Sequence, residues 1–229
     1  MNVRRIFQYL LAAIMLMNSY SLCAQKSKTG NWLIYFGNQA INKKWNWHNE
    51  VQYRNYNLIG DLQQMLLRTG IGFNLTENNN NILLGYAFIH TQKYLPPTNT
   101  KIGDNEHRIF QQYITRQNFK RIYLQHRYRI EERFLATAFQ MRFRYFLGLN
   151  VPLNHKTMAK NTLYLSAYNE VFINGQSPVF DRNRIYGALG YVLGKNIRME
   201  AGYMSQILET NYRNQFQIVL FNNLPLHYK

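Results

Sequence analysis

The chain has 229 residues, with 27 Lys+Arg against 11 Asp+Glu and a net charge of +16. That length allows one sizeable domain, and a mean hydropathy of −0.40 excludes a bundle of membrane-spanning helices. Aromatic residues reach 15%, with 18 Tyr and 14 Phe beside only 5 Pro, a composition that favours strands.

The first element is a leader. MNVRRIFQYLLAAIMLMNSYSLCAQ opens on Arg4 and Arg5, continues as an apolar run interrupted by Gln8, and closes on Ser19, Ser21 and Ala24. This is the shape of a secretory signal peptide, too short and wrongly flanked for a spanning helix. Cleavage after Ala24 is expected, giving a signal peptide over residues 1–24 and a mature domain over 25–229 that starts at Gln25. A lipoprotein cut before Cys23 is disfavoured because Leu22 stands where a small residue is needed. Cleavage removes the sole cysteine, so the mature chain has no disulfide or thiol chemistry. It also leaves 25 basic residues against 11 acidic ones, a net of +14.

Eleven strand-like segments follow between Gly30 and Asn223, with no helix and no linker. GNWLIYFGNQ (30–39) comes first. The second segment places Trp47, Val51 and Tyr53 on one parity, the third Met65, Leu67, Ile71 and Phe73, and the fourth Ile82, Leu84, Tyr86 and Phe88. The fifth is weaker, with Ile109, Gln111 and Tyr113. The sixth carries Ile122, Leu124, His126, Tyr128 and Ile130, and the seventh, QMRFRYFLGLN (140–150), carries Met141, Phe143, Tyr145, Leu147 and Leu149. Leu163, Leu165, Val171 and Ile173 mark the eighth. Ile185, Leu189 and Tyr191 mark the ninth, Met199, Tyr203 and Ile207 the tenth, and Tyr212, Phe216, Ile218 and Leu220 the last. This is the two-residue period of strands with one apolar face.

The other parity carries the charge. It holds Glu50, Arg54, Arg68, Glu106, Arg108, Arg116, Arg127, Arg129, Glu131, Arg133, Arg142, Arg144, Glu170, Arg184, Arg198, Glu200 and Arg213. Twelve arginines against five glutamates give this face a surplus of +7. A soluble sandwich would alternate in the same way, so three further features decide. The leader exports the chain, and the segments are evenly spaced and long enough to cross a bilayer as tilted strands. The charged face is nearly all Arg and Glu, the pair suited to a partly desolvated interior because the guanidinium fork binds carboxylates bidentately. The expected fold is an all-β, antiparallel up-and-down transmembrane β-barrel of about 10–12 strands in the cell outer membrane of a Gram-negative bacterium. Its apolar parity faces lipid.

Turn composition marks TENNNN (76–81), LPPTNTKIGDN (95–105), NGQSPVFDRN (174–183) and GKN (194–196). The long connections at 95–105 and 174–183 fall on one side, expected to be extracellular, and the turns at 76–81, 118–121 and 194–196 on the other. Trp32, Trp45, Trp47, Tyr56, Tyr94 and Tyr212 fit an interfacial aromatic girdle. Eleven segments conflict with the even strand number of bacterial single-chain barrels, and GNWLIYFGNQ is the one left without a natural place.

HRYRIEERF (126–134), RFRYFLGLNVPL (142–153), NEVFIN (169–174), FDRNRIYGALGY (180–191) and EAGYM (200–204) carry a resemblance. With NWLIYFGNQ and WNWHNEVQYRNY they resemble the Bacteroidota outer-membrane family known as domain of unknown function 2490, over nearly the whole mature chain. The resemblance implies an outer-membrane β-barrel and says little about activity. Many such barrels end on an aromatic residue; this chain runs past QFQIVLF (215–221) to NNLPLHYK.

Within the family motifs, Arg127, Arg129, Glu131, Arg133, Arg142, Arg144, Glu170, Arg184, Arg198 and Glu200 share the inward parity, and they are the candidate lumen network. The expected role is a narrow, porin-like pore or transporter for small anionic solutes. The alternative is a closed structural or ligand-binding barrel with a plugged interior. A lipid-modifying enzyme is disfavoured, because none of Ser27, Ser166, Ser177 and Ser205 stands two residues from a His. The six histidines show no metal-ligand spacing, and Gly70-Ile71-Gly72 and Gly187 to Gly190 precede no helix as a phosphate loop would. No catalytic residue, metal or cofactor is expected. The expected partners are outer-membrane lipid, the barrel-assembly machinery and a small anionic solute; nucleic acid is disfavoured by compartment.

Overall fold

The computed structural model describes residues 29–58, 60–76 and 79–226; the expected leader and its cleavage site lie outside them. Eleven strands form a closed barrel: β1 (Thr29–Ala40), β2 (Trp45–Asn55), β3 (Leu62–Asn74), β4 (Asn80–Tyr94), β5 (Lys101–Phe119), β6 (Ile122–Phe134), β7 (Phe139–Pro152), β8 (Leu163–Asn174), β9 (Phe180–Gly194), β10 (Ile197–Ile207) and β11 (Tyr212–Asn222). Each strand pairs antiparallel with its sequence neighbours. The wall closes where β1 meets β11, and that pairing is parallel, with Thr29 opposite Asn214 and Gly37 opposite Asn222. The expectation of a wholly antiparallel barrel is therefore corrected at one seam. The conflict over strand number resolves there too: GNWLIYFGNQ is β1, and an odd count closes because its last pair runs in the same direction.

The alternation of the sequence becomes the two faces of the wall. Leu84 is 60% exposed while Leu83 beside it is 5% exposed; Ile185 is 52% exposed and Arg184 only 7%. Outward residues form an apolar surface, and inward residues fill the lumen. Two apolar clusters occupy part of the interior: Trp32, Ile34, Tyr186, Met204 and Val219 near the β1–β11 seam, and Leu66, Leu83, Ala87, Ile89 and Phe110 against β3 to β5. Glycines make room where this filling is tightest. A Cβ on Gly190 would lie 2.1 Å from the Tyr164 ring, and one on Gly85 would lie 2.4 Å from the Phe110 ring.

The connections at 56–61, 95–100, 135–138, 175–179 and 208–211 share one end of the barrel, here the upper rim. Those at 41–44, 75–79, 120–121, 153–162 and 195–196 form the lower rim. The two connections expected at one end and the three turns expected at the other do group that way, but the expected contrast in length is corrected. β5 begins at Lys101 and β9 at Phe180, shortening both supposed long loops, and the ten residues 153–162 form a longer connection at the opposite rim. Arg121 holds that loop by donating to the carbonyls of Pro152, Leu153 and His155. After β11 the backbone continues pairing, with Asn223 N–H donating to Asn196 O and Leu226 N–H to Ala40 O.

Trp32 is also corrected. It was expected in an interfacial girdle but is 4% exposed inside the lumen, with the Arg54 guanidinium 3.8 Å from its ring centroid. β1 has apolar residues on both faces, so its parity is ambiguous until its partners set it. Trp45, Trp47 and Tyr212 are exposed on the outside.

Candidate functional site

The polar interior is organised around one carboxylate. Glu131, on β6, lies between Phe110 on β5 and Arg142 on β7 and is fully buried. Arg142 donates to its Oε2 from Nη2 at 2.5 Å and from Nε at 3.1 Å, and Arg144 donates from Nη1 to Oε1. Arg108 Nη1 approaches at 3.4 Å, Arg129 Nη1 at 3.6 Å and Arg68 Nη2 at 3.9 Å. One anion thus faces five guanidinium groups.

Smaller knots surround it. Glu170 on β8 accepts from Arg144 Nη2 at 2.6 Å and Arg127 Nη2 at 2.7 Å, with Arg184 at 3.8 Å. Glu106 on β5 accepts from Arg108 Nε at 2.7 Å and Arg133 Nε at 2.6 Å. Glu50 on β2 takes Arg68, and Gln52 bridges Glu50 to Arg54. Asp181 accepts from Arg142 Nη1 at 2.9 Å and from Arg182. Counting these groups, ten arginines share five acids. Aromatic faces take up part of the imbalance. Arg144 and Arg184 lie 4.4 and 4.6 Å from the Phe172 ring centroid, and Arg129 lies 4.5 Å from that of Phe110, within the range where a ring quadrupole attracts a cation.

Above this layer, toward the upper rim, is a cavity of about 300 Å³. Its walls include Arg54, Arg68, Lys93, Arg108, Arg133, Arg142, Arg144, Arg182 and Arg184, against only two acids, Asp104 and Glu106. Its base is closed by filled lumen: Leu66, Phe110, Phe172 and Glu131 are each at most 1% exposed. The arrangement is a basic cup. Convergent guanidinium groups with part of their hydrogen-bonding capacity unused suit carboxylate and phosphate oxygens. The buried Nε of Arg68 has no acceptor among the described residues.

Of the ten residues singled out in the sequence, Arg127, Arg129, Glu131, Arg133, Arg142, Arg144, Glu170 and Arg184 meet in this network. Arg129 packs below the cup and donates to Gln112 at 2.9 Å. Arg198 and Glu200 stand apart from it. Arg198 stacks 4.1 Å from the Phe221 ring centroid, and Glu200 accepts from Tyr164 at 2.9 Å and Tyr186 at 3.4 Å. The selection passed over Glu50, Arg54, Arg68, Glu106 and Arg108, although each shares the inward parity. It also missed Asp181 and Arg182, which fell in a stretch read as a turn. The register of β8 and β9 shifts there, Phe172 pairing with Arg182 and Ile173 with Phe180. Such a bulge re-aims a side chain, and the Asp181 carboxylate reaches Arg142.

The outward histidines are held by neighbours, His126 Nδ1 2.9 Å from Tyr145 Oη and His90 Nδ1 2.7 Å from Asn105 Oδ1. Among the described residues no serine is hydrogen-bonded to either.

No curated protein and no solved structure matches the chain. Residues 29–217 match the family described as protein of unknown function (DUF2490), spanning β1 to β10 and the first half of β11, and the chain belongs to that family.

Proposed function

We propose that the protein is an outer-membrane barrel with a closed lumen, whose upper-rim cup binds small anionic ligands. The observation that carries the binding role is the lining of that cup, with nine cationic side chains and two acidic ones around about 300 Å³. In a confined site of low effective dielectric, guanidinium groups that outnumber the carboxylates they share lower the energy of an anion far more than they would in water. The apolar outer wall supports the membrane setting. Leu33, Val51, Leu67, Leu84, Ile109, Ile130, Phe143, Leu165, Ile185, Met199 and Ile218, one from each of the eleven strands, are all exposed there. A continuous apolar band of this kind exceeds the few hundred Å² that soluble monomers tolerate. The buried Phe110, Phe172 and Arg–Glu layer favours a closed binding barrel over an open pore.

The test is titration of pyrophosphate into the folded protein in nanodiscs, beside single-channel recording in a planar bilayer. Pyrophosphate binding that weakens at least tenfold in R182Q/R184Q, with a silent bilayer, is the expected result. Steady anion-selective channels would replace this reading with a pore. Absence of any anion binding would reduce the arginine layer to architecture.

A further inference from the structure

The lysines of this barrel are not distributed evenly. Of the eight in the described residues, Lys43, Lys44, Lys120, Lys156, Lys160 and Lys195 all sit exposed at the lower rim. None of these six has an acidic partner among the described residues. The two upper-rim lysines differ, since Lys93 pairs with Asp104 at 3.9 Å and Lys101 with Asp61. Acids follow the opposite trend. Asp61 and Glu209 lie in upper-rim connections, and the described residues of the lower-rim connections include no acid.

One sector of the outer wall leads from this basic rim into an apolar groove. On β8, β9 and β10 the register brings Ala167 opposite Gly187, and Ala201 opposite Leu189. The resulting depression has a volume of about 760 Å³ and is bounded by Leu149, Leu165, Tyr203 and Phe216. Its floor is open at Gly187, where an added Cβ would meet nothing within 4 Å. Between this groove and the lower rim Leu163 pairs with Tyr191 on the same two strands, and Lys160 and Lys195 stand in the rim connections beyond them. Tyr191 Oη donates to Asn161 at 3.1 Å, tying the lysine-bearing loop to β9.

The spacing suits one leaflet. Six residues of strand separate Leu189 from Lys195, about 20 Å at ~3.3 Å per residue. On a strand tilted by roughly 40° that is about 15 Å along the barrel axis, half of a ~30 Å hydrocarbon core. We propose that this sector seats an anionic diacyl phospholipid, its phosphate on Lys160 and Lys195 and an acyl chain in the groove over Gly187. The assignment rests on the membrane reading above and adds a lipid class and a place to it. Charge complementarity selects the headgroup, because each lysine near a lipid phosphate favours an anionic species by about fivefold, ~1 kcal/mol.

The experiment is native mass spectrometry of the full chain released from nanodiscs made with equal parts dioleoyl phosphatidylglycerol and dioleoyl phosphatidylcholine. The wild type is expected to retain phosphatidylglycerol preferentially, and K160Q/K195Q to lose about thirtyfold of that preference. G187L, which adds a side chain where a Cβ meets nothing within 4 Å, is expected to release the dioleoyl lipid while still binding a dihexanoyl phosphatidylglycerol probe. Equal retention of both headgroups, or a G187L protein that retains dioleoyl lipid normally, overturns the assignment. So does a dimer that G187L dissociates, since a second copy would then be the occupant. Flotation with liposomes separates the two levels: a protein that floats without headgroup preference sinks this inference alone, whereas one that does not float sinks the membrane reading with it.

Discussion

Glu131 and Glu132 are neighbours on one strand and face opposite sides of the wall, which makes them a matched pair for perturbation. Glu131→Gln removes a charge shared by Arg142, Arg144, Arg108, Arg129 and Arg68, with Arg142 at 2.5 Å and Arg68, the farthest, at 3.9 Å. All of these groups are buried, so water does not take over the lost interaction. Breaking a buried ion pair from one side costs about 3–5 kcal/mol, a large share of a typical 5–15 kcal/mol total. Glu132→Gln removes a charge that accepts one bond, from Gln111 at 3.1 Å on the exposed face. That change is expected to stay within about 0.5 kcal/mol. Urea unfolding in detergent micelles, followed by tryptophan fluorescence, measures both. With a slope of ~2 kcal/mol per molar, Glu131→Gln lowers the midpoint by about 2 M while Glu132→Gln leaves it in place. The double variant Glu131→Gln/Arg142→Gln is expected to cost less than the sum of its parts, because the second change relieves a cation left unpaired by the first. A Glu131→Gln midpoint within 0.5 M of wild type would refute the claim that this carboxylate organises the interior.

Other consequences of the geometry are as direct. Gly190→Val drives a branched side chain into the Tyr164 ring and is expected to destabilise the barrel by about 1–3 kcal/mol, read as a lower unfolding midpoint. Gly187→Val, three residues away and facing open space, serves as its control. The parallel seam predicts that two disulfides form separately on oxidation in a Cys23→Ser background, Thr29→Cys with Asn214→Cys and Leu33→Cys with Ile218→Cys. An antiparallel pairing of these strands could satisfy only one of the two, so gel mobility decides between them. Arg198→Gln removes a cation outside the main network, stacked on Phe221. It is expected to leave pyrophosphate binding at the cup unchanged, in contrast to R182Q/R184Q.

Much of the wall could be read from single residues. Met141, Phe143 and Tyr145 are exposed outside, and Arg142 and Arg144 are buried inside, because a strand offers only two directions and these residues sort cleanly between them. The same rule failed where both parities are alike. β1 has Trp32 and Ile34 inward and Leu33 outward, so no charged residue marks its inner face. The first part of β5 has Lys101, Asn105 and His107 outside and resembles a turn, yet the backbone of β4 holds it as strand from Tyr94–Lys101 onward. Asp181 depends on a bulge, which is a property of a strand pair and has no mark in one strand. The network's membership is non-local for a related reason. Parity gave Arg198 and Arg108 equal standing, and only the closed wall places Arg108 beside Glu131 and Arg198 against Phe221.

The odd strand count also bears on ancestry. Barrels that enlarge by copying hairpins gain strands two at a time, and copying alone never changes parity. An eleven-stranded wall descended from an even-stranded one would therefore require the gain or loss of a single strand. The parallel joint locates where that step is best accommodated. Within the run of antiparallel hairpins, a lone addition would reverse the direction of everything after it. At the junction of β1 and β11 it reverses nothing, and the joint simply changes from antiparallel to parallel.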